Sequence, residues 1–109
     1  NKHIFNEFGI ELRKVRMIDE ALANYLKAIT ISPADEHLHF NVARIHYDRK
    51  DWDKALEWLQ KALEINPLFR DARQFEALIL KEMKELHLTP GASKVEHAAA
   101  PEEPADTPR

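Results

Sequence analysis

The segment from Lys61 to Pro67 reads KALEINP, and 34 residues earlier the segment from Lys27 to Pro33 reads KAITISP, so Lys, Ala, Ile and Pro recur in register. Laying residues 2–33 over residues 36–67 extends the correspondence to His3/His37, Asp19/Asp53, Ala21/Ala55 and Leu22/Leu56. Conservative pairs fill the gaps at Ile4/Leu38, Phe8/Val42, Gly9/Ala43, Ile18/Trp52 and Ile29/Leu63. A self-similarity at this period restricts the chain to architectures in which one supersecondary unit stacks on the next, because so short a unit cannot bury its apolar face alone.

Each unit is predicted to be helix, turn, helix. In HIFNEFGIELRKV the apolar residues Ile4, Phe5, Phe8, Leu12 and Val15 follow a helical stripe, as do Ala21, Leu22, Tyr25, Ala28 and Ile29 in DEALANYLKAITI. Pro33 and Pro67 disfavour helical geometry at Ser32 and Asn66 and so end the second helices. Asp51 or Asp53 is expected to cap the second helix of the second unit. Beyond Pro67, the segment RDARQFEALILKEMKEL places Ala72, Phe75, Ile79, Met83 and Leu86 on one face, which predicts a fifth helix. From Thr89 to Arg109 the chain holds four of its six prolines and no helical stripe, the composition of a disordered tail or linker.

The remaining composition narrows the function. A chain of 109 residues, 44% hydrophobic, forms one small domain with a core. Its formal charge of −3 offers no electrostatic footprint for nucleic acid or an anionic membrane, and no apolar run reaches the roughly 20 residues of a membrane span. The absence of cysteine excludes disulfides, thiolate zinc sites and cysteine nucleophiles, and suits a reducing compartment such as the cytoplasm without naming one. Because the chain begins at Asn1, it is expected to be part of a longer protein.

The series small residue, Ala, Ala, Pro falls at Gly9, Ala21, Ala28 and Pro33 and again at Ala43, Ala55, Ala62 and Pro67, with Ala77 beginning a third, incomplete series. It resembles the tetratricopeptide repeat, a helix pair of 34 residues, over residues 2–86. The resemblance implies an all-α fold of five helices in a short right-handed solenoid, with residues 1–88 forming two repeats and a C-terminal capping helix, and residues 89–109 a tail. Where the family commonly has glycine at the bend between helices, this chain has Arg16 and Lys50, and His39 and His46 occupy positions that usually hold large apolar groups.

No arrangement of residues suggests catalysis. There is no glycine-rich phosphate loop, no Ser placed beside His and Asp, and no histidine spacing that zinc would recognise, so neither an enzyme nor a metal or cofactor site is expected. His39 and His46 share a helical face but stand two turns, roughly 10 Å, apart, and are read as buried imidazoles. Trp52 is expected to pack the bend, whereas Trp58 is read equally as an outer-surface residue or part of a ligand cage.

The family resemblance implies a concave groove lined by the first helices of successive units. Carried onto this chain, it yields a peptide-binding set of Asn6, Ile10, Arg13, His37, Phe40, Asn41, Arg44 and Tyr47, with Asp71, Gln74, Phe75 and Leu78 added by the fifth helix. Ile10, Phe40 and Tyr47 lie off the packing stripes and are expected to be exposed. Family members that grip the C-terminal carboxylate of heat-shock chaperones use Lys and Asn on the first helix, Asn on the third, and Lys and Arg on the fifth. The matching positions here are Asn6, Ile10, Asn41, Asp71 and Phe75, of which Asn41 alone agrees. The expected function is therefore that of a protein interaction module of a larger regulatory or scaffold protein, holding a partner peptide or helix by other means. The alternatives are a self-assembly unit, with weak homodimerisation through Ile4, Phe8 and Val15, and an accessory domain of an enzyme.

Overall fold

The computed structural model describes residues 1–91, and over them the chain is five α-helices without a strand: α1 (Lys2–Lys14), α2 (Ile18–Ile31), α3 (Glu36–Asp48), α4 (Trp52–Ile65) and α5 (Arg70–Glu85). Residues 92–109, most of the expected tail, lie outside the described residues. Helices α1 and α2 form one antiparallel pair and α3 and α4 the next, with α2 packed on α3 and α4 on α5. The fold is thus a stack of helix pairs, as the 34-residue period predicts.

The helix ends have local causes. Asn1 caps α1 by accepting from the N–H groups of His3 (2.9 Å) and Ile4 (3.2 Å), and Asp35 caps α3 by accepting from His37 N–H (2.9 Å). Asp51 stands at the N-cap of α4, but neither it nor Asp53 caps the helix by a side-chain bond. Asp53 instead accepts the Gly91 N–H at 2.6 Å, so the backbone beyond α5 turns back to the first turn of α4.

The first helices of the units, α1, α3 and α5 (the first type, as against α2 and α4, the second), end alike. Arg16, Lys50 and His87 have φ of 66°, 61° and 60°. Their N–H groups bond to Arg13, Tyr47 and Lys84, and those of the following residues, Met17, Asp51 and Leu88, bond to Leu12, His46 and Met83 at 2.8, 2.8 and 2.7 Å. This is the Schellman arrangement, built here on long polar side chains rather than on glycine.

The core divides between the pairs. Leu12, Ala21, Tyr25, Val42 and Ile45 form one buried cluster, and Ala43, Ala55, Leu59, Ala62, Phe69, Ala72, Ile79 and Met83 form the other. Trp58 is half-buried and packs against both; its ring stacks on His39 at 5.6 Å with Lys61 Nζ 5.3 Å above it. His39 and His46 are buried. His39 Nε2 donates to the Pro33 carbonyl at 2.7 Å, and the Nδ1 atoms of both rings have no hydrogen-bond partner.

Candidate functional site

Helices α1, α3 and α5 lie side by side on one face, and side chains cross between them at a fixed separation of 35 residues. Between α1 and α3, Asn41 Nδ2 donates to Asn6 Oδ1 at 2.8 Å, and the Arg13 guanidinium holds both oxygens of Asp48 at 2.7 and 3.2 Å. One unit later these positions are Phe40 against Phe75, with ring centroids 5.7 Å apart, and Tyr47 against Glu82, whose carboxylate oxygens accept from the phenol at 3.0 and 2.9 Å. The same geometry therefore gives a polar seam bridged by amide and ion pairs on one side of α3 and an aromatic one on the other.

The aromatic seam is continuous. The His37 ring meets the edge of Phe69 at 4.9 Å, Phe69 meets Phe40 at 5.3 Å, and Phe75 contacts Phe40 and also Tyr47 at 5.0 Å, while Tyr47 reaches Trp52 at 5.6 Å. Offset and edge-to-face pairs of this kind each add about 0.5–1.5 kcal/mol beyond their buried area. Phe40 and Tyr47 are consequently half-buried against α5, and Ile10 is half-buried against the first cluster, not exposed as their position off the stripes implied. The Arg44 guanidinium remains exposed, 5.7 Å above the Phe40 ring.

Two depressions open along this seam. One is walled by Phe40, Arg44, Asp71, Gln74, Phe75 and Leu78. The other, at the C-terminal ends of α3 and α5, is walled by Tyr47, Asp48, Lys50, Trp52, Glu82, Glu85 and Leu86. The structure thus gathers Phe40, Arg44 and Tyr47 of the expected set about the α3–α5 seam, keeps His37 at its rim, and engages Asn6, Asn41 and Arg13 in bonds within the stack. Glu82, Glu85 and Leu86 were not in that set. The signal that finds Glu82 is the equivalence of Arg13 with Tyr47 and of Asp48 with Glu82 under the repeat.

Burial raises the Tyr47 pKa above its usual 10.0, and the hydrogen bond to Glu82 and that carboxylate's charge push the same way. The phenol is therefore a firm donor at neutral pH. Among the described residues no three metal-ligating side chains gather, and no helix is long and apolar enough to cross a membrane.

Residues 37–69 match the family model described as tetratricopeptide repeat. The Hsp70-Hsp90 organising protein of Plasmodium falciparum (isolate 3D7) is 43% identical over 56 residues, covering 51% of this chain and 10% of that protein. A human (Homo sapiens) protein O-mannosyl-transferase is 31% identical over 106 residues, 96% of this chain and 12% of the relative. A photosystem I assembly protein of Cyanophora paradoxa is 38% identical over 63 residues, 55% of this chain and 36% of the relative. The chain is a member of the tetratricopeptide repeat family, whose helical repeats generally mediate contacts between proteins. It spans 10%, 12% and 36% of the length of these three relatives.

Proposed function

We propose that the chain is a non-catalytic interaction module of a larger scaffold or regulatory protein, and that it receives a partner's peptide or helix along the α3–α5 seam. The observation that carries this reading is the half-buried aromatic run of Phe40, Phe75, Tyr47 and Trp52, anchored on the buried Phe69, with its two depressions. A buried core does not require it, since the corresponding α1–α3 seam is closed by amide and ion pairs. Phe40, Tyr47 and Phe75 offer apolar area, Arg44 selects an acidic or amide group, and Asn41 keeps its Oδ1 for a ligand N–H while its Nδ2 bonds Asn6.

The likeness to an Hsp70-Hsp90 organising protein raises the question of a chaperone partner. Capture of a terminal carboxylate needs cations on the fifth helix, and Asp71 and Phe75 stand there, both walling the first depression. A different ligand chemistry is expected. Replacing Gln74 by a photo-crosslinking amino acid should trap a partner from the native extract, whereas the same replacement at Lys27, on the opposite side of the stack, should not. Arg44→Ala, Tyr47→Ala and Asn41→Ala should each weaken the trapped complex by more than about 1 kcal/mol. Equal trapping from both positions would refute the seam as the binding surface.

A second reading, self-assembly, is favoured by the outer face of α1. Ile4 and Phe8 are 63% and 55% exposed, while Leu38 and Val42, their equivalents, are 2% and 0% exposed because α2 covers α3. This face is suited to receiving one more helix.

A further inference from the structure

One charge on the α3–α5 seam has no cation to answer it. Between α1 and α3, Asp48 is held by Arg13 and, at 3.7 Å, by Arg16. One unit later the equivalents of Asp48, Arg13 and Arg16 are Glu82, Tyr47 and Lys50. Glu82 accepts from the neutral Tyr47 hydroxyl, and among the described residues no ion pair joins it to Lys50 or to any other cation. Burial first, and then the hydrogen bond and charge of this carboxylate, raise the Tyr47 pKa.

The surroundings suit a cation. Trp52 and Tyr47 form an aromatic wall, Glu85 adds a second carboxylate at the rim, and the C-terminal ends of α3 and α5 present the negative ends of two dipoles against the single N-terminus of α4; Lys50 also walls the depression, exposed and unpaired with Glu82, and is outnumbered by the carboxylates. An anionic ligand would be repelled from the same place. Asp48 contributes little, being already paired with the two arginines.

We propose that this depression receives a guanidinium or ammonium side chain of the partner, which supplies to Glu82, beside the Tyr47 hydroxyl that already bonds it, the positive charge that Arg13 supplies to Asp48. The cation lies against Tyr47 and Trp52 and bonds Glu82, with Glu85 flanking it. The assignment rests on the reading of the α3–α5 seam as the ligand groove and specifies what the ligand must carry at one end. A basic residue here and an apolar one beside Phe40 and Phe75 make the preferred partner a mixed basic and apolar segment.

The test is a titration of the isotope-labelled chain with blocked tripeptides, followed by NMR. Acetyl-Gly-Arg-Gly-amide should shift the Trp52 indole N–H and leave in place that of Trp58, which does not wall the depression. Acetyl-Gly-Gln-Gly-amide should shift neither, and added salt should weaken the arginine effect. Glu82→Gln keeps an acceptor for Tyr47 and removes the charge, and it should weaken the arginine peptide about tenfold, the loss of a charge-assisted bond. An equal response to the glutamine peptide, or an unchanged response in the variant, overturns the proposal. Acetyl-Gly-Leu-Gly-amide separates the two claims: if it shifts the Leu78 methyls while the arginine peptide leaves Trp52 unmoved, the cation assignment falls and the groove stands. If neither peptide acts, both fall.

Discussion

Gly9 and Tyr25 are fitted to each other as single residues. A Cβ built on Gly9 would lie 2.6 and 2.8 Å from Tyr25 Cε1 and Cδ1, and the ring, 1% exposed, has no room to retreat. In the second unit the equivalents are Ala43 and Leu59, a larger residue facing a smaller one. Gly9→Ala should therefore destabilise by about 1 kcal/mol net, since overpacking costs about 1–3 kcal/mol and the better helix propensity returns at most about 1. Made on a Tyr25→Leu background, the same change should stabilise by about 0.5–1 kcal/mol. Denaturant unfolding of the four proteins of this cycle checks the reversal of sign.

His46 acts at the same scale. Burial holds its pKa below the ordinary 6.5, with smaller influences from Asp51, Lys54 and Glu57, and its Nδ1 lacks a partner, so a proton there would create a buried donor without an acceptor. The unfolded chain takes up that proton first as the pH falls below 6.5, so stability is full above this value and declines toward the folded pKa. His46→Leu, which copies Leu12 of the first unit, should flatten the stability profile between neutral pH and about pH 5. Asp35 acts in a separate window. Burial pushes its carboxyl up, but hydrogen bonds from Lys2 and the His37 N–H hold it below 3.8 on balance, so its contribution is lost only as the pH falls below that value.

At the scale of the element, the three left-handed bends are the least comfortable backbone in the stack. A non-glycine residue there costs on the order of 1 kcal/mol. Lys50 makes no ion pair among the described residues, so Lys50→Gly should stabilise by up to about 1 kcal/mol, raising the midpoint of thermal unfolding by a few degrees. Arg16→Gly should gain less because it also removes the 3.7 Å contact with Asp48. The bends at Arg16 and Lys50 were legible in the sequence from the family's missing glycines, and the helix limits from Pro33 and Pro67, whereas the bend at His87 was not read there. The seam was less so. A period of 34 identifies which residues are alike, but contact falls at 35, because the helices that meet belong to successive units. Asn6, Asn41 and Arg13 therefore read as open groove residues when each helix is considered alone, although Asn41 bonds Asn6 and Arg13 bonds Asp48 across the stack. Phe40 and Tyr47 read as exposed for the same reason, their burial being supplied by α5.

For the whole molecule, the consequential asymmetry lies between its two faces at α1 and α5. Ile4, Phe8 and Val15, 63%, 55% and 65% exposed, form an apolar stripe at positions that α2 covers on α3 in the cases of Ile4 and Phe8. The chain of residues 1–109 should self-associate weakly, and Phe8→Glu should abolish this while leaving the fold intact. Sedimentation equilibrium across a concentration series checks it, and a parent that stays monomeric throughout would count against the assembly reading. At α5 the small Ala77 is exposed where Ala43 is buried, and Leu80 is 40% exposed where His46 is buried. Both faces call for a helix of the second type, so neither can satisfy the other in a second copy by continuing the stack.

The two depressions of the α3–α5 seam also set a length scale. Phe40 and Tyr47 are seven positions apart on one helix, a rise of roughly 10 Å at 1.5 Å per residue. An extended strand covers that distance in about three residues at 3.3 Å each, and a helix lying parallel to α3 in about seven. A ligand is therefore read at two points with a fixed interval between them. A sequence with the right side chains one residue closer or farther apart would satisfy one depression and miss the other, so the selectivity of the seam resides in spacing as much as in chemistry.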